Sequence, residues 1–166
     1  YLSLDEGWDI TVGSEVYRDV SLGDFRFGPV SKGDRITMQK TLPGHFGLME
    51  GVLRFHIRQS AVRMYIDGEL VYEYGYDRMA QNKTVGSGFQ FINFPNGYQG
   101  KTLEISLFLS EYLAFAKLDS MRIYEWEDAY RMLLTENRIP LFFGCFLAVF
   151  GLVINIITVF ALAVYL

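Results

Sequence analysis

From Ile139 to the last residue, Leu166, the chain carries no Lys, Arg, Asp, Glu or His. The only ionisable groups there are the Tyr165 phenol and the Cys145 thiol. A helix crosses a bilayer with roughly 20 apolar residues, and at ~1.5 Å per residue this run reaches ~42 Å against a hydrocarbon core of ~30 Å. A helix so long and so apolar on every side does not suit the core of a soluble domain. It reads as a transmembrane helix over residues 139–166. Pro140 falls in its first turn, where the missing N–H costs nothing. The run stands at the C-terminal end, which excludes a cleavable signal peptide. The chain opens at Tyr1 rather than Met and stops inside the apolar run, so we read it as a piece of a longer protein. The expected location is a cell membrane, with residues 1–138 outside the cytoplasm.

Every charge therefore lies before residue 139, in a segment of soluble character. The net charge of -4 lacks the Lys/Arg excess that phosphate neutralisation needs, so a nucleic-acid partner is not expected. The single cysteine, Cys145, lies in the apolar run, so no disulfide framework is available. A domain of this size buries enough core without one. A cysteine-free exported domain with a membrane tail fits a bacterial surface. Asn82-Lys83-Thr84 is formally a glycosylation sequon, a triplet that chance often supplies.

Residues 1–125 read as strands. Period-two alternation runs through 8–12, 35–42, 52–58, 62–66, 70–74, 89–94, 103–109 and 121–126. Asp67-Gly68, between two of these runs, is the strongest hairpin signal in the chain. About eight strands with short turns and one wet face predict a mainly β fold, a jelly-roll-like antiparallel β-sandwich. The expected core holds Leu53, Phe55, Ile57, Val62, Ile66, Leu103, Ile105 and Leu107. Glu111 to Lys117 reads as one short helical segment. Residues 126–138 read as a juxtamembrane helix, with Trp126, Tyr130, Leu133 and Leu134 at helical spacing, that joins the sandwich to the span.

Chemical motifs are few. There is no HExxH, CxxC, glycine-rich phosphate loop or GxSxG, so no catalytic residue is nominated and no enzyme activity is expected of this chain. His45 and His56 have no cysteine near them, and the acids Asp5, Glu6, Asp9, Asp19 and Asp24 lack calcium-loop spacing. No metal and no cofactor are expected. The candidate ligand-binding residues are Arg54, His56 and Arg58 on one strand face, with Arg63 and Tyr65 on the next. If those strands pair, they form one basic, aromatic-edged surface whose guanidinium forks suit carboxylates, phosphates and sugar hydroxyls. The plainer reading, a solvated face whose Arg stems cover apolar surface, is preferred. Acids such as Glu69, Glu73 or Glu104 would neutralise the row. A second candidate set is Tyr72, Tyr74, Tyr76 and Tyr98, for which a structural role is again the plainer reading. In the apolar run, Gly144, Ala148, Gly151 and Asn155 form a stripe of small and polar residues suited to helix packing, against further spans or in a homodimer.

Gly33-Asp34-Arg35-Ile36-Thr37, Lys40-Thr41-Leu42-Pro43, Leu53-Arg54-Phe55 and the run from Val62 to Tyr72 resemble the extracellular jelly-roll domain of bacterial membrane-bound diguanylate cyclases. Seven-transmembrane receptors with intracellular signalling modules are relatives of that family. The resemblance covers residues 8–126 and the span. It implies a non-enzymatic extracytoplasmic ligand-sensing module, whose ligand is a sugar, peptide or small anion. It also implies a diguanylate cyclase output domain, although this chain contains no GGDEF-type segment. It supplies no ligand motif to carry over. The alternatives are a membrane-anchored carbohydrate-binding or adhesion module and, ranked lower, a membrane-tethered hydrolase.

Overall fold

The structure, a computed structural model, describes residues 1–45, 51–112, 116–117, 119–136 and 138–165. It divides into two compact units, Tyr1–Ala129 and Tyr130–Leu166.

The first unit is an antiparallel β-sandwich. Its strands are β1 (Leu2–Ser3), β2 (Trp8–Val12), β3 (Glu15–Val20), β4 (Arg26–Phe27), β5 (Arg35–Thr41), β6 (Gly51–Ile57) and β7 (Ser60–Ile66). They are followed by β8 (Glu69–Tyr74), the short helix α1 (Tyr76–Ala80), β9 (Gly88–Asn93), β10 (Thr102–Leu109), β11 (Ala116–Lys117) and β12 (Arg122–Glu125). One sheet runs β1-β12-β6-β9 and the other β3-β2-β5-β10-β7-β8, while β4 and β11 pair by themselves. From β5 onward the chain crosses between the two large sheets at β5–β6, β6–β7, β8–β9, β9–β10 and β10–β12. That alternation gives the jelly-roll character.

All eight strands expected from alternation are present. All eight expected core residues are buried, and they join Trp8, Ile10, Met38, Met64, Ile92 and Ile123 in one cluster. The Trp8 indole N–H donates to the Leu4 carbonyl, which satisfies the one polar atom of the largest buried side chain. Asp67 and Gly68 have φ of 50° and 83°, the paired positive values of a two-residue hairpin, and β7 and β8 are joined there. Strand β3 carries no alternation signal, because it lies at a sheet edge with no buried residue to impose one.

The short helix expected over 111–117 is not formed among the described residues. Glu111 and Tyr112 are not helical, and Ala116–Lys117 is a strand against β4. The rest of that stretch, 113–115, lies outside the described residues. Backbone pairing to β4 claims a segment whose side chains have no strong helical period.

Helix α2 spans Trp126–Glu136 and α3 spans Arg138–Tyr165. Asn137 and Leu166, which fall within the expected juxtamembrane and membrane segments, lie outside the described residues. Arg138–Leu162 is long and apolar enough to cross a membrane, and none of it is buried inside the protein.

Candidate functional site

The basic residues expected to form one surface fall into two groups. Strand β6 pairs with β12 and β9, whereas β7 pairs with β10 and β8. Consecutive strands therefore lie in opposite sheets, and their polar faces point away from each other. Arg54, His56 and Arg58 belong to the four-stranded sheet, and Arg63 and Tyr65 to the six-stranded sheet. The pairing that one continuous row required is absent, because each of the two strands is already hydrogen-bonded on both sides.

On the four-stranded sheet, the Arg54 guanidinium lies 3.7 Å from the centroid of Phe89, and His56 packs on the same ring at 4.8 Å. Arg122 stands directly opposite Arg54 in register and over the Tyr1 ring. Asp119 neutralises the far end of the row. Its Oδ2 lies 2.9 Å from His56 Nδ1, and Arg58 donates to both carboxylate oxygens at 3.0–3.1 Å. Burial pushes the Asp119 carboxyl up, but hydrogen bonds from His56 and Arg58 outweigh it and hold the group below the usual carboxylate range. Asp119 is not among the acids that the sequence nominates for this row. No spacing links it to residues about sixty positions away.

On the six-stranded sheet the arrangement is denser. Cross-strand register places Thr37, Ser106, Arg63 and Glu73 in one row, and Gln39, Glu104 and Tyr65 in the next. Arg63 Nε donates to Glu73 Oε2 at 2.6 Å, so Glu73 neutralises this arginine. Arg35 Nη2 donates to Ser106 Oγ at 2.9 Å and lies 3.6 Å from Glu104, and Gln39 donates to the same carboxylate at 2.7 Å. Ser106 points to this outer face yet is fully buried.

Tyr76 contributes to that cover. Gly75 precedes it with φ of 83°, and a Cβ there would stand 2.8 Å from Val85 and 3.3 Å from the Ala61 backbone. Only glycine permits the turn that sends α1 across the sheet. The Arg63 guanidinium lies 3.9 Å from the Tyr76 ring centroid, and the ring meets Phe108 edge-on at 5.2 Å. The Tyr76 hydroxyl is buried and has no hydrogen-bond partner among the described residues. Burial pushes its pKa up to about 12, against the lowering pull of Arg63 and Arg35.

The other three tyrosines of that set lie in or against the core. Tyr98 is fully buried, and Tyr72 and Tyr74 pack against the core. Arg35 also lines a cleft of about 440 Å³ beside the face, together with Val12, Ser14, Glu15, Tyr17 and Asp34. Alternation marks Arg35, Glu104, Ser106 and Phe108 as outward-facing. It carries no information on which strands are neighbours, so the cluster could not be assembled from the sequence.

Elsewhere, no three His, Cys, Asp or Glu side chains converge as metal ligands among the described residues. On α3, the Asn155 amide donates to the Gly151 carbonyl at 2.7 Å, so this bond of the small-residue stripe closes within its own helix.

No family model and no curated protein matches the chain. Among solved structures, it is similar to a family GH115 4-O-methyl-α-glucuronidase with specificity for decorated arabinogalactans. The identity is 15%, the TM-score is 0.32, and the match covers 58% of this chain and 14% of that one. A likeness of that size carries no inference about fold or activity.

Proposed function

We propose that the sandwich is a non-enzymatic, extracytoplasmic ligand-sensing module of a bacterial membrane signalling protein, and that its ligand docks at Arg35, Arg63, Tyr65 and Tyr76. One observation carries the choice of face. Two guanidiniums, each already matched to a carboxylate, flank a buried serine and a tyrosine hydroxyl without a partner among the described residues. A hydroxyl left unsatisfied costs about 1–3 kcal/mol, and a ligand oxygen that reaches it recovers that cost.

Charge selects among the ligand classes. The face holds two Arg and two Glu in pairs, so an anion gains little attraction there. Aromatic rings beside neutralised polar forks suit a neutral, hydroxylated ligand such as a sugar. The acidity of the domain and its resemblance to membrane-bound diguanylate cyclases support the extracytoplasmic placement and a cyclase output. Ligand binding reaches such an output only through different affinities for two states of the protein.

The test is thermal shift and calorimetry on the full chain in detergent, with neutral sugars and small carboxylates as probes. A neutral sugar should raise the melting temperature of the parent and fail to raise that of Arg63→Ala. Its affinity should change little with salt. A probe that binds parent and Arg63→Ala equally, or whose affinity falls steeply with salt, would remove this face from consideration. Protease added to intact cells should digest residues 1–138, and complete protection would place the domain inside.

A further inference from the structure

We propose that β9 is a dimerisation edge, where a second copy of this chain pairs antiparallel about a two-fold axis at Phe91 and joins the two four-stranded sheets into one. Strand β9 lies in the sheet opposite the proposed ligand face, so the interface and the ligand site stand or fall separately.

Sheet edges in native proteins are kept from pairing with other chains by charge, proline, bulges or brevity. Among the described residues the two large sheets end in β1, β9, β3 and β8. Strand β1 has two residues. Strand β3 carries Glu15, Arg18 and Asp19 and breaks register against β2. Strand β8 carries Glu69 and Glu73 and breaks register against β7. Strand β9, Gly88-Phe89-Gln90-Phe91-Ile92-Asn93, has no charge, no proline and an unbroken register along β6. No charged residue occurs from Thr84 to Gly100, and Phe89 is 48% exposed.

The register also shows which main-chain groups of β9 are open. In an antiparallel ladder, hydrogen-bonded and non-bonded pairs alternate. The Phe94 amide donates to the Gly51 carbonyl at 2.9 Å, one step past the Asn93–Val52 pair. Ile92 and Gln90 therefore also bond to β6, and the N–H and C=O groups of Phe89, Phe91 and Asn93 point away from it. These open groups are symmetric about Phe91. A two-fold axis there sets Phe91 against Phe91 of the partner subunit and Phe89 against the partner's Asn93, and each such pair exchanges two N–H···O bonds. Every open group of the strand is then satisfied. The Phe89 and Phe91 rings of both copies share the outer face, where cross-strand aromatic pairs add stability. A strand without charge brings no like charges into opposition. Arg54, opposite Phe91 on β6, comes three strand spacings (~14 Å) from its counterpart, beyond the screening length of ~10 Å.

Cysteine cross-linking of the full chain in detergent tests the register, with Cys145→Ser to remove the native thiol. In a hydrogen-bonded antiparallel pair the Cα atoms stand ~5.5 Å apart, within disulfide reach. Phe91→Cys should oxidise to a covalent dimer. Phe89→Cys and Asn93→Cys should each stay monomeric alone and cross-link when co-expressed. No cross-link in either experiment overturns the proposal, and so does Phe89→Cys joining to itself as fast as Phe91→Cys. Amide exchange supplies a readout on the unmodified chain. Phe89, Phe91 and Asn93 should be as protected as Gln90 and Ile92. Phe91→Lys sets like charges opposite each other on the axis, and should speed exchange at 89, 91 and 93 by about tenfold or more while 90 and 92 hold. Fast exchange at the three amides of the parent means that water covers the edge. Slow exchange that survives Phe91→Lys means that another segment of the same chain covers it. Either outcome overturns the proposal, and a dimer made by α3 alone leaves these amides open.

Discussion

Arg58–Gln59 and Asp67–Gly68 each join two strands with two residues, yet the first carries the chain from one sheet to the other while the second folds β8 back beside β7. At Asp67–Gly68 both residues take positive φ, and the turn matches the twist of the strands it joins. At Arg58–Gln59 only Gln59 does, with φ of 46°. Its geometry is held from outside. The Gln59 carbonyl accepts from the Ser110 amide and hydroxyl at 2.8 and 2.7 Å, and its amide donates to Ser87 Oγ at 3.2 Å. Arg58 is pinned by Asp119. The hairpin takes the turn its own two residues favour, and β10 braces it as well: the Asp67 amide donates to the Thr102 carbonyl at 2.9 Å, and Asp67 Oδ1 accepts from the Thr102 amide at 2.8 Å. The corner exists only where distant segments meet it, and it sends Arg54 and Arg63 to opposite faces of the domain.

The broadest test of that contrast removes the core on which both connections depend. Ile105 is fully buried and stands between Met38 and Met64 in register. Ile105→Asp buries an unpaired carboxylate and should cost about 3–5 kcal/mol, much of a domain's margin. Urea titration should show corner and hairpin lost in one transition, and a parental melting curve would refute the assigned facing.

Next in size is the corner itself. Ser110 is 1% exposed, and its hydroxyl donates to Gln59 and accepts from the Val85 amide. Ser110→Ala leaves those buried groups short and should cost about 2 kcal/mol, although Ser110 lies far along the chain from the turn it holds. Hydrogen exchange should rise at 58–60 and not at 67–68. Uniform protection would mean that the corner holds itself.

At the hairpin, Gly68 has φ of 83°, and nothing stands within 4 Å of where an alanine Cβ would sit, so the backbone alone sets the cost. Gly68→Ala should lose about 1 kcal/mol, with exchange raised at the β7–β8 end and at Thr102, which Asp67 holds, and not at 58–60. Equal losses at the corner would erase the distinction between the two connections.

The smallest effect is pH-dependent. The Asp119 carboxyl is held below its ordinary range in the folded state, so its ionised form contributes stability above that range. The contribution is lost as pH falls through the lowered value, below about pH 4. Asp119→Asn should therefore cost about 1 kcal/mol at neutral pH and converge with the parent in acid. A difference that persists unchanged at low pH would show that the carboxylate charge does not brace Arg58.

The class of fold, the buried faces of the strands, the Asp67–Gly68 hairpin and the apolar helix are all legible in the residues alone. Each of these is written in neighbouring residues: alternation at period two, two residues that tolerate positive φ, a run without charge. Alternation also separates Leu53, Phe55 and Ile57 from Arg54 and His56. Strand partners are not legible there and emerge only in the packed sandwich. Backbone N–H and C=O groups are the same in every strand, so alternation fits a β6–β7 hairpin as well as it fits the observed corner. That one choice split the expected basic row, gave Arg58 to Asp119 and Arg63 to Glu73, and assembled Arg35, Ser106 and Tyr76 around Arg63 from three separate stretches of chain. Side-chain type fixes which way a residue faces; which other residue it meets depends on a register that only the packed core selects.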